Sequence, residues 1–393
     1  MKNSRPTILA IDTSCDETSA AVVQGVNILA NLLPSQNEYH EKYGGVVPSL
    51  AKFAHQERID NVIAQAINES GVEKEKLDAI AVTQGPGLAI ALEVGIKKAK
   101  EMAQELKIPL IPINHMEGHL LSSLAKLSKN DFEESLENVE KEIKSNLPII
   151  GLLVSGGHTE LILVTDLFEY EKLGQTLDDS CGEAFDKAAR MLGLGFPGGP
   201  EISRQAEQGR GDMILQIMRM SNNTILTGIN KTSGKKYELP IPMIHSGNLN
   251  FSYSGLKTAF KYLINSIADS DITLEKELRK DTGLNEATVK DLSVMFETAA
   301  IQQIILKLNK TIEKIMPKEI WIGGGVAANP YLREQLTILS QGKKINIRLP
   351  ESKNLTTDNA AMIGVAGSLR FFKDNFSRSD FDRLPRYSID KIS

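Results

Sequence analysis

The apolar positions of the chain fall into short blocks with two different periods. Ile8–Ile11 and Ala20–Val23 are brief strand-like runs on either side of Asp12-Thr13-Ser14-Cys15-Asp16-Glu17-Thr18-Ser19. Two strands around a turn rich in hydroxyls and acids predict a hairpin whose tip faces solvent or a ligand. The pattern returns further on. Ile149–Val164 reads IIGLLVSGGHTELILV against ILAIDTSCDETSAAVV for Ile8–Val23, and at an offset of 141 the apolar residues superpose, with Ser14 on Ser155 and Thr18 on Thr159. Asp78–Ala89 (DAIAVTQGPGLA) and Lys318–Asn329 (KEIWIGGGVAAN) form a second pair, strand then glycine-rich turn, at an offset of 240. These pairs predict an internal duplication with a ligand cleft between the halves.

Helical spacing marks other blocks. Ala51–Ser70 places Phe53, Ile59, Val62, Ile63 and Ile67 on one face before Gly71 stops it, and Ala89–Leu106 reads as another helix. A helix from Gly182 carries Ala184, Phe185, Ala188, Ala189 and Leu192, and Asn250-Phe251-Ser252-Tyr253-Ser254-Gly255-Leu256-Lys257 leads into helices that run to Leu308. A small-residue helix spans Ala360–Leu369. Strands alternating with helices put the chain in the α/β class. Three stretches read differently. Residues 129–146 are acidic and poor in apolar residues, which predicts a solvated, mobile linker helix. Residues 207–250 are polar and rich in Gly and Ser, as in a loop, and Phe196-Pro197-Gly198-Gly199-Pro200 reads as a rigid turn.

The candidate chemistry centres on Asn114-His115-Met116-Glu117-Gly118-His119-Leu120, just after the strand-like run Ile108–Ile113. His115 and His119 are four apart, so on a helix they share a face, where they bind one metal or simply stack. Glu117 points elsewhere, unlike the general-base Glu of HExxH. Asp358 is a candidate third ligand, since two imidazoles and a carboxylate suit a ferrous or zinc ion acting as a Lewis acid. It also sits where a helix N-cap belongs. Glycine turns at Gly85-Pro86-Gly87, Gly156-Gly157, Gly198-Gly199 and Gly323-Gly324-Gly325 allow backbone N–H groups to approach phosphate or ribose, which favours a nucleotide ligand. GxxxxGK[ST] is absent, which excludes the P-loop NTPases, and no GxGxxG follows the first strand, which argues against a Rossmann dehydrogenase.

Composition narrows the picture further. The 393 residues are 41% hydrophobic and 24% charged, as in an ordinary globular protein of two to three domains. A net charge of −5 argues against a generally basic surface but does not exclude nucleic acid, whose binding needs only a local basic patch. The apolar runs are too short for a membrane span and the start lacks a signal-peptide pattern. Cys15 and Cys181 lie far apart without CxxC spacing, so a reducing cytoplasm is expected, with both thiols packed rather than nucleophilic.

The stretches DTSCDETSAAVV, YGGVVPSLAKFAHQ, VTQGPGLAIALEVG, NHMEGHLLSS, LLVSGGHTELILV, DDSCGEAFDKAARMLGLGFPGGP, FSYSGLKTA, IGGGVAAN and TDNAAMIG together resemble the bacterial tRNA N6-adenosine threonylcarbamoyltransferases, the TsaD family. The resemblance runs from residue 8 to about 368. It implies a duplicated actin-like, sugar-kinase-like α/β fold, two lobes around a nucleotide cleft. On that basis residues 1–125 with 348–393 form the N-terminal lobe, with the metal histidines and a returning C-terminal segment. Residues 126–147 are an acidic linker or insertion, and 148–347 the second lobe with the adenylate-binding loops. The implied reaction moves threonylcarbamoyl from threonylcarbamoyl-AMP to N6 of adenosine 37 in tRNAs reading ANN codons.

The resemblance also implies roles residue by residue. His115, His119 and Asp358 hold one divalent ion, iron or zinc, which binds the threonyl part and polarises the carbamoyl carbonyl. Leu153, Val154, Ser155, Gly156 and Gly157, then Asp186, Gly199 and Asn329, hold the adenylate, with Asp186 accepting ribose hydroxyls. Many relatives carry Asp where this chain has Ser203. Asp16 and Glu17, or a water they position, are the candidates for taking the N6 proton. The implied partners are tRNA, a paralogous inactive subunit and a small P-loop ATPase, with no membrane involved. Two other classes compete: a zinc metallopeptidase, which chelation would silence and tRNA would not affect, and a catalytically weak nucleotide-binding regulatory module of the same superfamily.

Overall fold

The architecture follows from strands that bury both faces. In a computed structural model, which describes residues 3–34, 48–127, 134–220, 223–270, 283–376 and 380–392, two five-stranded sheets repeat one plan. The first holds β1 (Thr7–Asp12), β2 (Ser19–Gln24), β3 (Asn27–Leu32), β4 (Ala79–Gly85) and β5 (Leu110–Asn114) in the order β3-β2-β1-β4-β5. The second holds β6 (Ile149–Val154), β7 (Thr159–Asp166), β8 (Glu169–Gln175), β12 (Glu319–Gly323) and β13 (Asn346–Arg348) in the order β8-β7-β6-β12-β13. Each opens with an antiparallel meander and adds two parallel strands. The repeat holds at the level of single residues. Ile8 pairs with Val23 and Ala79 in the first sheet, and Ile149 pairs with Val164 and Glu319 in the second. The two sequence offsets are therefore the registers of one ladder built twice.

Alternate strand residues feed different cores. Ile8, Ala10, Ala21 and Val23 face a cluster shared with Ile149, Leu153, Ile162 and Trp321 of the other sheet. Leu9, Ile11, Ala20 and Val22 face a second cluster under α1 (Pro48–Ser70) and α2 (Ala89–Leu106). Ile150, Leu152, Val154 and Leu161 face a third, built with α5 (Cys181–Met191) and α8 (Glu286–Ile315). The middle layer between the sheets consists of α3 (His115–Leu121) and α10 (Ala360–Lys373). Small residues let α10 lie close on the first sheet: a Cβ on Gly364 would come within 2.8 Å of Val23, and one on Gly367 within 2.6 Å of Ala81. The remaining helices, α6 (Gly198–Arg210), α7 (Ser254–Ser270) and α9 (Pro330–Lys343), cover the second sheet.

Three expectations from the sequence are corrected. Residues 126–147 are not a free linker. α4 (Leu136–Ser145), opened by the Ser135 cap, buries Leu136, Val139 and Ile143 in the middle cluster. Those three lie at helical spacing, and the acidic face around them hid the stripe. Two of its three acids are paired across elements, Glu140 with Lys373 and Glu142 with Arg348. Residues 207–250 are not a loop. They hold β9 (Met213–Arg219), β10 (Thr224–Asn230) and β11 (Lys236–Pro240), an antiparallel three-stranded sheet. Lys231, Lys235 and Lys236 lie at its β10–β11 turn, with Lys236 paired to Glu238. Gly198-Gly199-Pro200 opens α6 instead of forming a turn, because Pro at the start of a helix forfeits no hydrogen bond. Residues 43–47 of the YGGVVPSL stretch, with 128–133 and 221–222 of these segments, lie outside the described residues.

The docking of α4 is open to a direct test. Ile143→Ala should lower unfolding free energy by about 2–4 kcal/mol in a denaturant titration. A change within a few tenths of a kcal/mol would return α4 to solvent.

Candidate metal centre and ligand cleft

β5 ends at Asn114, whose side chain accepts from the backbone N–H of Met116 (2.9 Å) and Glu117 (3.2 Å). This cap starts α3 at His115, the first of only seven helical residues, every one of them buried. The two imidazoles meet edge to face, 4.6 Å between ring centres. His119 Nε2 lies 3.0 Å and His115 Nε2 3.4 Å from the same Asp358 Oδ1. Asp358 does not cap α10. Asn359 does, accepting from Met362 N–H, so the Asp358 carboxylate is left to the histidines.

The electrostatics of this trio are strongly coupled. Burial would push Asp358 up, yet the His115 and His119 imidazoles hold it well below the usual carboxylate range. For His115, burial acts downward, but Asp358 and Asp12 outweigh it and push the imidazole up to about 9. His119 is lowered, first by burial. His115 Nδ1 and His119 Nδ1 are both buried without a hydrogen-bond partner. Ligand atoms of all three side chains lie within 4.8 Å of one another. Two neutral-capable imidazoles and a carboxylate, arriving from two elements with unpartnered ring nitrogens around them, fit one divalent cation.

The β1–β2 turn comes to the same place. His55 of α1 holds it, with Nδ1 2.7 Å from Thr18 Oγ1 and Nε2 3.1 Å from the Cys15 carbonyl oxygen. Burial, then the charges of Asp16, Asp358 and Asp12, push Glu17 up to about 8. Asp12 accepts from Thr83 Oγ1 at 2.7 Å and faces His115 Nδ1 at 3.7 Å. Burial raises the Cys15 thiol well above its ordinary value and pushes Cys181 up to about 12, so neither is a thiolate nucleophile.

The equivalent turn of the second sheet forms the other wall. Leu153 and Val154 end β6, and Ser155 is folded into its own loop, its Oγ accepting from Gly157 N–H and His158 N–H. Gly156 and Gly157 are exposed, with open space where a Cβ would be. Here glycine is also required by close approach: a Cβ on Gly323 would meet the His119 carbonyl oxygen at 2.2 Å, and Gly324, at φ +92°, would place one 2.4 Å from Val154 O. The glycine turn after β12 is thus wedged between the metal helix and the Ser155 loop. Asp186 Oδ1 accepts from Gly198 N–H at 2.7 Å, which joins Asp186 to the Gly198-Gly199 helix start, and burial raises its carboxyl. Asn329 caps α9 through its oxygen, and its Nδ2 donates to Ser203 Oγ (2.6 Å) and Glu297 Oε1 (2.7 Å). His115, His119 and Asp358 thus meet at the start of α3, and the glycine turn after β12 joins them to the end of β6, while Asp186 is tied to the start of α6 and Asn329 to Ser203 and Glu297.

Comparison with known proteins matches this arrangement to one family. The family model described as TsaD, tRNA N6-adenosine threonylcarbamoyltransferase, matches residues 27–365. A tRNA N6-adenosine threonylcarbamoyltransferase of Christiangramia forsetii is 37% identical over 99% of this chain and 100% of its own length. That of Pelagibacter ubique is 38% identical over 99% and 96%. The chain belongs to the TsaD family. The crystal structure of T. kodakarensis HypF shares the fold at TM-score 0.50 and 13% identity, covering 96% of this chain and 50% of its own. The duplicated actin-like, sugar-kinase-like class is the fold of this TsaD-family chain.

Residues that the sequence reading passed over also lie in the TsaD-family site. Burial, then the nearby His115 and His119, lower the His158 imidazole to about 4, so a neutral ring directly follows the Gly156-Gly157 turn. Its place inside SGGHT was the available signal. Asp12 ends β1 and Thr83 lies two residues before the end of the neighbouring β4, and no spacing rule links them. Glu297 is almost fully buried in mid-α8, and only the fold brings it to Asn329 and Ser203.

Glu17 yields a pH test. Its carboxyl is raised on folding from 4.5 to about 8, so the ionised form costs stability. The cost is absent below about 4.5, grows between the two values, and is constant above about 8. In metal-free protein, Glu17→Gln should raise the melting midpoint by a few degrees above pH 8 and leave it unchanged near pH 4.5. An identical shift at both pH values would contradict this assignment.

Proposed function

We propose that this chain transfers the threonylcarbamoyl group of threonylcarbamoyl-AMP to N6 of adenosine 37 in tRNAs reading ANN codons, with one divalent ion held by His115, His119 and Asp358. Transferase activity on tRNA comes with family membership. The donor, the ion and the residue roles are our reading. The observation that carries it is the junction between the three-donor centre and the glycine cradle: Gly323 against the His119 backbone, Gly324 against Val154, and His158 beside both histidines.

In this reading the Leu153–Gly157 turn receives the phosphate and threonyl part where the absent Cβ atoms at Gly156 and Gly157 leave its backbone open to a ligand. Asp186, Gly199 and Asn329 border the adenosine part. A bound iron or zinc ion supplies positive charge to the carbamoyl carbonyl and holds the threonyl group. The N6 amine of adenosine attacks the carbamoyl carbon, the new C–N bond replaces the bond to the phosphate oxygen, and AMP leaves. The amine must also lose a proton. Asp16 and Glu17, or a water they position, are the candidates to take it, and a carboxyl raised toward neutrality, as that of Glu17 is, is a stronger base than an ordinary one.

The metallopeptidase alternative lacks its base: Glu117, the one acid on the histidine helix, is tied to Arg370. No described helix is long and apolar enough to cross a membrane. The same proposal places the enzyme in the cytoplasm, working with a paralogous inactive subunit and a small P-loop ATPase.

Mixing the protein with unmodified tRNA, threonylcarbamoyl-AMP and the two partner proteins, then digesting the tRNA for mass spectrometry, should reveal threonylcarbamoyladenosine. His115→Ala and Asp358→Ala should each reduce it at least about 100-fold. Equal product from the variants would remove the metal role and keep the reaction. No product, with partners proven active beside another family member, would favour the regulatory-module reading. Full multiple turnover by the isolated chain would exclude any need for the partners.

A further inference from the structure

Glu117 has no part in the chemistry proposed above, yet it is the best-held side chain of the metal helix. It lies between the two histidines in sequence and points away from them. It is fully buried, and its carboxylate accepts from both Arg370 Nε (to Oε2, 2.8 Å) and Arg370 Nη2 (to Oε1, 2.8 Å). Tyr170 OH donates to the same Oε1 at 3.0 Å. The Phe168 ring lies 4.6 Å from the Arg370 guanidinium, and Arg370 Nη1 donates onward to the carbonyl oxygens of Asn375. The pair is thus fully partnered, in the bidentate geometry only arginine offers.

The location of each partner matters. Arg370 stands in the last turn of α10, and Asp358, the third candidate ligand, stands just before its first. The ion pair therefore joins the helix that carries two ligands to the helix that follows the other. Tyr170 and Phe168 come from β8 and the turn before it, in the sheet that carries the Ser155 loop. α3 has two turns, too few to hold an orientation by its own hydrogen bonds. A buried ion pair is also weak as a source of stability, since apolar residues of similar size often replace one without loss. Orientation is what it can supply that a Leu–Met contact cannot.

We infer that Glu117, Arg370 and Tyr170 form a positioning clamp that sets the rotation of α3, and hence the angle between the His115 and His119 nitrogens and Asp358, and that Tyr170 ties this geometry to the docking of the second sheet. The inference rests on the metal reading above. Outer partners of this kind typically change metal affinity by about 10- to 100-fold when removed.

Cobalt(II), whose visible spectrum reports ligand geometry, tests this on the full-length metal-free protein. Tyr170→Phe removes one hydroxyl and keeps the ring. It should leave the melting midpoint of the metal-free protein nearly unchanged, weaken cobalt binding about tenfold and shift the absorption bands. Glu117→Leu combined with Arg370→Met should fold as stably as wild type and bind cobalt at least as weakly as Tyr170→Phe. His115→Ala is the control for the site itself. Wild-type affinity and spectrum in Tyr170→Phe, with binding abolished by His115→Ala, would overturn the clamp and leave the metal centre intact. Unaltered binding in His115→Ala would remove the metal centre and the clamp with it. Should the double variant fail to fold, the Tyr170→Phe result decides alone.

Discussion

A seven-residue helix packed on all sides contains three ionisable side chains, and most of this molecule can be read as the answer to that constraint. His115, Glu117 and His119 of α3 are all nearly or fully buried. Each would be costly without a partner. Glu117 takes Arg370 on one face, while the histidines share Asp358 on the other. Both partners come from α10 or the residue pair before it, so α10 must lie alongside α3. It can do so because Gly118, Gly364 and Gly367 clear the contact on its two faces. The position of the C-terminal helix, between two sheets and far in sequence from either, follows from those needs.

The same helix is where the duplicated halves meet. A fold with two copies of one sheet has two equivalent hairpin turns, but they have diverged in chemistry. The first, from Asp12 to Ser19, kept acids and sits on the histidine side. The second, Ser155 to His158, kept glycines, and Gly156 and Gly157 leave its backbone exposed while the Gly157 and His158 N–H groups turn onto Ser155 Oγ. The first brings carboxylates to His115, and the second reaches the His119 backbone through the glycine turn after β12. Such a division suits a reaction in which an amine loses a proton while a phosphate leaves. The acids around Asp358 work against one another: Asp12 and Asp16 help to raise Glu17, and the histidines lower Asp358. One group is held ionised while its neighbour stays near neutrality, the separation that acid–base chemistry uses.

Some of this was legible along the chain, and the reason is local. Strands covered on both faces read as unbroken apolar runs, so Ile8–Ile11 and Ile149–Val154 stood out, and their registers survived as constant offsets. His115 and His119 were legible because one helix sets their spacing. The failures have the opposite cause. α4 looked like a solvated linker because its three apolar residues are interleaved with charged ones, two of which, Glu140 and Glu142, have partners as distant in sequence as α10 and β13. β9–β11 looked like a loop because strands half open to solvent mix polar residues and glycine among the apolar ones. Asn359, not Asp358, caps α10, a choice between neighbours that composition does not make.

By itself the sequence determined the duplicated α/β plan, the histidine helix after a strand and the glycine turns, because each depends on contacts within a few residues or on a repeated period. Its motif set, spread over most of the chain, also pointed to the family. Only the tertiary structure decided that Asp358 joins the histidines, that Glu117 is neutralised by Arg370 and capped by Tyr170, that burial keeps His158 neutral, and that Asn329 shares Ser203 and Glu297. Those pairings join residues separated by up to 253 positions. Burial sets which charges need a partner, and only the packing of the two sheets around α3 brings that partner within reach.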